Sequence, residues 1–328
     1  MRANMSNRNL KNLLLIWRFV DGKAGHERQT EGLAQALGEM CRVEVGEIDV
    51  SRKRAATWEH LRRLRAEGMQ PALLMGAGRR SHWPLIWARW LTGAPTVVLM
   101  RPSLPRWLFN FCLFPEHDGV RPRKNDLVVQ GVLNAVQESS RQDADRGLIL
   151  VGGPCRHVDW DSRELLRQLE GIIKKAPGMT WMLTSSRRTP PDLVAELVRS
   201  SWPRVTFVPY QDTPPGWVSE ALQRAGQTWV SPDSVTMVFE ALTSGSQVGV
   251  FELVWHPGSK LKRSIDRLVA DRLVTPYSAF ESTGKLEAPS RVLNESRRSA
   301  RWLLERIAWS LAPPEDQSSV ETAAHSGS

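Results

Sequence analysis

The feature that most constrains this chain is a repeated alternation of short, continuous apolar runs with stretches of helical period. Residues 13–20, 43–50, 72–76, 96–100, 111–114 and 127–132 read as strands, with helices predicted over 27–37, 57–66 and 81–91. These runs do not alternate apolar with polar residues, as a strand with one wet face would. They predict parallel strands covered by helices on both sides. A polar segment at 137–146 (QESSRQDADR) then breaks the pattern and predicts a linker, with a hinge near 134–147. The alternation resumes with strands at 148–152, 180–184, 205–209, 228–230 and 248–253. Helices are predicted at 162–175, 191–199, 216–224, 234–242 and 259–270, and a last amphipathic one at about 289–311. The expected architecture is α/β: two Rossmann-like, doubly wound domains at 1–140 and 147–288. A crossover helix at 289–312 and a disordered tail at 313–328 complete it.

A length of 328 residues suits two domains, and 41% hydrophobic residues suffice for two cores. Cys41, Cys112 and Cys155 are far apart and form no CxxC pair, which argues against a disulfide framework or a cysteine zinc site. No stretch reaches the ~18 consecutive apolar residues of a membrane span. The apolar run at 13–16 is followed at once by Arg18 and Asp21, so it reads as a buried strand rather than a signal peptide. A cytoplasmic protein is expected.

The net charge of +9 is uneven. Residues 1–145 carry 22 Lys+Arg against 15 Asp+Glu (+7), and the remainder 22 against 20 (+2). A basic first half predicts an anionic partner. Fourteen Trp stand against two Tyr. Trp83, Trp87 and Trp90 share one helical face, and Trp107 follows, among Arg79, Arg80, Arg89, Arg101 and Arg106. That face either packs on the sheet or meets an anionic membrane surface, making the protein peripheral to the membrane. No nucleic-acid recognition motif accompanies the charge, so nucleic acid is not an expected partner.

Chemistry in such folds gathers at strand–helix junctions. The first junction is Asp21-Gly22-Lys23-Ala24-Gly25-His26. It is either a capped turn, or a site where a helix N-terminus faces an anion and His26 serves as general base, oriented by Asp21. The second is Gly152-Gly153-Pro154-Cys155-Arg156-His157, leading into a helix. It is a plain glycine turn, or its backbone wraps a diphosphate paired with Arg156. Asp159-Trp160-Asp161 matches a short DxD metal motif, but helix capping is the simpler reading and no metal is expected. The third junction, Ser231-Pro232-Asp233-Ser234, opens a helix carrying Glu240. Glu240 is either a solvated helix position or a carboxylate for a ribose, with Ser234 at the phosphate end. At Pro115-Glu116-His117-Asp118-Gly119, the pair His117 and Asp118 suits a cleft or hinge, as does Gly25 of the first junction. P-loop, GxGxxG, GxSxG and HExxH signatures are all missing from the sequence.

Four segments in this order, DGKAGHERQTEGLA (21–34), PEHDG (115–119), GGP-x-RH (152–157) and PDSVTMVFEA (232–241), resemble the mitochondrial-fission (elongated-mitochondria) family. Bacterial members are described as glycosyltransferases or as nucleoside-diphosphate-sugar epimerases. The layout is also similar to GT-B glycosyltransferases, including the lipid-linked enzyme of peptidoglycan synthesis. That enzyme has Gly-Gly-His where this chain has Ala24-Gly25-His26, and its ribose-gripping Glu corresponds to Glu240. The glycines before that Glu are replaced here by Asp233 and Ser234.

The resemblance implies a GT-B arrangement, a last helix that braces the first domain, and a metal-independent glycosyltransferase. A nucleotide-sugar would be its substrate, held by Gly152, Gly153, Arg156, Ser234 and Glu240, with no cofactor. The acceptor, lipid-linked or an envelope glycan, is left open. An epimerase and a non-enzymatic adaptor are the alternatives.

Overall fold

The computed structural model describes residues 13–51 and 54–311, and the tail expected at 313–328 lies outside them. The chain divides into two compact units. One ends at Ala135 and resumes at Glu295; the other spans Val136–Asn294.

The first unit contains β1 (Leu13–Val20), α1 (Ala24–Gly38), β2 (Arg42–Asp49), α2 (Arg54–Ala66), β3 (Leu73–Ala77), α3 (His82–Thr92), β4 (Thr96–Leu99), β5 (Phe111–Pro115) and β6 (Asp126–Val129). The strands form one sheet, ordered β2-β1-β3-β4-β5-β6, with every pairing parallel. Residues of β3, β4 and β5 are buried throughout, which is why these strands read as unbroken apolar runs. Successive side chains feed opposite layers. Ile16, Leu73, Met75, Val97 and Leu99 join one cluster, while Trp17, Phe19, Leu74 and Val98 join the other.

The chain's last helix, Glu295–Leu311, completes the first of these layers. Its Ala300, Leu303 and Ile307 are buried with Leu33, Ala36 and Leu37 of α1. It starts six residues later than the sequence period suggests: Ser290 is tied to the Arg272 and Asp271 carbonyls, and at the helix start Glu295 Oε2 accepts from the Gln130 amide (3.0 Å).

The second unit contains β7 (Asp143–Leu150), β8 (Val158–Asp159), α4 (Ser162–Lys175), β9 (Thr180–Thr184), α5 (Pro191–Arg199), β10 (Val205–Val208), α6 (Trp217–Arg224), β11 (Ala225–Val230), α7 (Val235–Ser244), β12 (Gln247–Val250), β13 (Val254–Trp255), α8 (Lys260–Ala270), β14 (Val274–Pro276) and α9 (Tyr277–Thr283). Its parallel sheet is ordered β10-β9-β7-β11-β12-β14, and β8 pairs antiparallel with β13 outside it. Trp181, Trp229, Phe251, Tyr277 and Phe280 fill the core on one side. β7 begins at Asp143, inside the segment read as linker. Its first four residues are exposed, so they carry no apolar signal, yet Asp143 pairs with Ala225.

Each sheet has a point where the strand order reverses: between β1 and β3 in the first, and between β7 and β11 in the second. In open α/β sheets, loops leaving the carboxyl ends of strands on either side of such a reversal run to opposite faces and leave a crevice. Open α/β sheets bind ligands there.

Candidate functional site

At the first reversal point, β1 ends in Asp21 and β3 leads to Gly78. Helix α1 starts at Ala24, three residues earlier than expected, so Gly25 and His26 lie in its first turn. Gly22, at φ +78°, makes the turn, and its amide donates to Glu27 Oε1 (2.9 Å). The His26 Nδ1 lies 3.0 Å from Oδ2 and 3.2 Å from Oδ1 of Asp21. The Asp21 side chain is 1% exposed and that of His26 19%. Asp21 also accepts from the Lys23 amide (3.2 Å), so the carboxylate is fixed and orients the ring. The other face of the ring is set by Gly78, where a Cβ would fall 2.3 Å from His26 Cε1. The pairing of Nδ1 with a carboxylate leaves Nε2 as the ring's proton acceptor. Beside Gly25 no atom comes within 4 Å of where a side chain would begin, so the first turn of α1 is open to approach.

At the second reversal point the glycines do something other than expected. The Gly152 amide donates to Ser231 Oγ (2.7 Å), and the Gly153 amide to Asp233 Oδ2 (3.2 Å). Both N–H groups assigned to a diphosphate are therefore engaged. The missing side chains serve close packing: a Cβ on Gly152 would sit 2.2 Å from Asp233 Oδ1, and one on Gly153 2.0 Å from Arg188 O. Nor does this loop lead straight into a helix, since β8 intervenes before α4.

Asp233 is the organising residue here, and sequence reading registered it only as a replacement for glycine. Its side chain is fully buried and accepts from Ser231 Oγ (2.6 Å), the Gly153 amide and the Arg188 guanidinium (2.6 Å). Burial pushes its carboxyl above the usual range, against the pull of those donors. Thr189 ties the same loop down, its hydroxyl donating to Gly152 O (2.6 Å). Arg188 and Thr189 sit in no motif, so sequence gave no signal for them.

Ser234 precedes α7 without capping it through its side chain, which leaves first-turn amides of that helix without a side-chain acceptor. Glu240 is buried at 8% exposure, so the solvated reading fails. Arg156 is exposed, and its Nε donates to His157 Nε2 (3.2 Å).

Asp161 accepts from the Arg163 and Glu164 amides and caps α4. Asp159 lies 2.5 Å from His256 Nε2 and raises that imidazole's pKa. Asp118 falls in a short turn, Glu116–Asp118, after which β6 pairs with β5, so this segment is a turn within one sheet rather than a hinge between units. The His117 side chain lies outside the described residues. On α3, Trp87 packs edge-on against Trp58, with ring centroids 5.5 Å apart, while Trp83, Trp90 and Trp107 are 43%, 87% and 73% exposed. Among the described residues, no helix is long and apolar enough to cross a membrane.

The family model for mitochondrial fission ELM1 matches residues 24–307. The chain belongs to this family. No curated protein matches it in sequence. Among solved structures, this ELM1-family chain is similar to a protein from Listeria monocytogenes assigned as a UDP-N-acetylglucosamine 2-epimerase. The TM-score is 0.57 at 10% identity, covering 89% of this chain and 95% of that one. It is also similar to UDP-GlcNAc 2-epimerase from Neisseria meningitidis bound to UDP-GlcNAc, with TM-score 0.52, 11% identity, and coverage of 89% and 100%. At such identities the likeness speaks for the fold, two Rossmann-like units of the GT-B class.

Proposed function

We propose that this ELM1-family chain is a glycosyltransferase that uses a nucleoside-diphosphate sugar. In the second unit, the uncapped start of α7 and the guanidiniums of Arg156 and Arg188 take the diphosphate, beside Ser234. Glu240 takes the ribose. Gly152, Gly153 and Asp233 hold the loop's shape. In the first unit, His26 Nε2 removes the proton of the acceptor hydroxyl. The hydroxyl oxygen then bonds to the sugar carbon as the bond from that carbon to phosphate oxygen breaks. The electron pair leaves with the nucleoside diphosphate, and Asp21 steadies the imidazolium.

The observation that carries this reading is the Asp21–His26 pair at a strand-order reversal, where a fixed carboxylate selects the ring tautomer. The UDP-GlcNAc bound by the Neisseria structure supports the donor class. The test is release of nucleoside diphosphate from a panel of nucleotide-sugars, with and without cell-extract acceptor, by wild type and His26→Ala. Acceptor-dependent release that His26→Ala abolishes supports transfer. Conversion of the nucleotide-sugar to its epimer without acceptor and without net release of nucleoside diphosphate indicates epimerisation instead. A His26→Ala/Glu240→Gln variant that retains its function in cells indicates an adaptor.

Exposed Trp83, Trp90 and Trp107 beside Arg89 and Arg106 support a peripheral contact with anionic membrane. Flotation with anionic but not neutral liposomes is the expected outcome, and background recovery with both contradicts it.

A further inference from the structure

A pocket of about 530 Å³ opens in the first unit, lined by Arg54, Arg79 and Arg80, the hydroxyl-bearing Ser51 and Ser103, and Trp83. No carboxylate lines it. The sequence explains why: between Glu67 and Glu116 there is no acidic residue, but there are five arginines. Among the described residues, none of Arg54, Arg79 and Arg80 has an ion-pair partner. Three like charges around one concavity repel one another, and a bound anion relieves that repulsion.

The pocket's floor is rigid. His82 is 1% exposed, its Nδ1 is 3.0 Å from Ser103 Oγ, and its ring packs against Phe109 at 5.5 Å between centroids. The volume exceeds what a bare phosphate needs and falls in the range of small-molecule sites. Trp83 and Leu104 add apolar wall for an organic body. The location also matters: Arg79 follows Gly78, the residue on which the His26 ring rests.

We propose that this pocket binds a phosphate ester or diphosphate of a small organic molecule, its anionic group held by Arg79, Arg80 and Arg54. As an anion site it stands on the pocket alone. As the seat of a phosphorylated acceptor for His26, it rests on the sugar-transfer reading. The phosphate belongs either to a soluble metabolite or to a lipid headgroup.

The test is arginine labelling of the full chain with phenylglyoxal, read by peptide mass spectrometry. It is run with no addition, with inorganic pyrophosphate, with phosphatidic acid vesicles and with phosphatidylcholine vesicles. The expected result is several-fold protection of Arg79 and Arg80 relative to Arg42, which is exposed at the opposite end of β2 from the pocket-lining Val50 and Ser51. Protection by pyrophosphate assigns the site to soluble phosphates. Protection by phosphatidic acid vesicles alone assigns it to a headgroup.

Titration with pyrophosphate should weaken by roughly tenfold or more in Arg79→Gln/Arg80→Gln, as expected when two charge-assisted contacts are lost. Equal labelling of Arg79 and Arg80 under all four conditions overturns the proposal. Failure of nucleotide-sugar turnover leaves this result untouched, because the labelling reads the pocket directly.

Discussion

His26 Nδ1 lies 3.0 Å from the Oδ2 of Asp21, a carboxylate almost wholly removed from solvent, and the pair sits where the strand order of the first sheet reverses. A carboxylate so placed cannot swing away, so it holds the imidazole in one orientation and one tautomer. His26→Ala is expected to lower kcat/KM by about 10²–10⁴-fold, the usual worth of a general base. Asp21→Asn should keep the fold but misassign the tautomer, and reduce kcat more than it raises KM. Steady-state kinetics on both variants check this.

Gly78 makes a sharper test, because it touches no substrate in this account. It has φ +79° and ψ 163°, a region that side-chain-bearing residues avoid. A Cβ there would also collide with the His26 ring. Gly78→Ala should cost about 1–3 kcal/mol of stability from backbone strain. It should also depress kcat as His26→Ala does, by displacing the ring. Denaturant unfolding and kinetics measured together separate the two effects.

In the second unit, Asp233 accepts from Ser231, from the Gly153 amide and from Arg188. Asp233→Ala strands a buried amide and hydroxyl and should cost about 2–4 kcal/mol in chemical denaturation. Asp233→Asn keeps part of the network and should cost less. Gly152→Ala should resemble Asp233→Ala, since its Cβ would enter the same carboxylate.

His82 predicts a pH dependence. Burial, and then the nearby Arg79 charge, lower its pKa from 6.5 to about 4. Between those values the unfolded chain binds a proton that the folded chain does not, so stability rises with pH across this window. As pH falls from 6.5 toward 4, about 3 kcal/mol is lost to this group. Melting temperature against pH should show that decline, and His82→Gln should flatten it.

Inner strands such as β3, β4 and β5 were legible because they are buried on both faces and therefore appear as uninterrupted apolar runs, whereas the edge strand β2 is mostly exposed. The short β8, β13 and β14 and the helix α9 were not, since strands of two or three residues and a helix of two turns carry too little period to register. The meeting of Asp21 and His26 was legible, because spacing alone places both at one junction. It was misread at Gly152 and Gly153, because sequence cannot tell a glycine that admits a ligand from one that admits a neighbouring carboxylate. Arg188 reaches Asp233 across 45 residues of chain, a contact that only the sheet order creates.

The most direct test of the account is calorimetric titration of the full chain with nucleoside diphosphates and their sugars, comparing wild type with Glu240→Gln at matched melting temperature. Saturable binding of at least one nucleotide at a single site is expected, weakened by about tenfold or more in Glu240→Gln. No binding by any of these nucleotides, or equal binding by the two proteins, would contradict it.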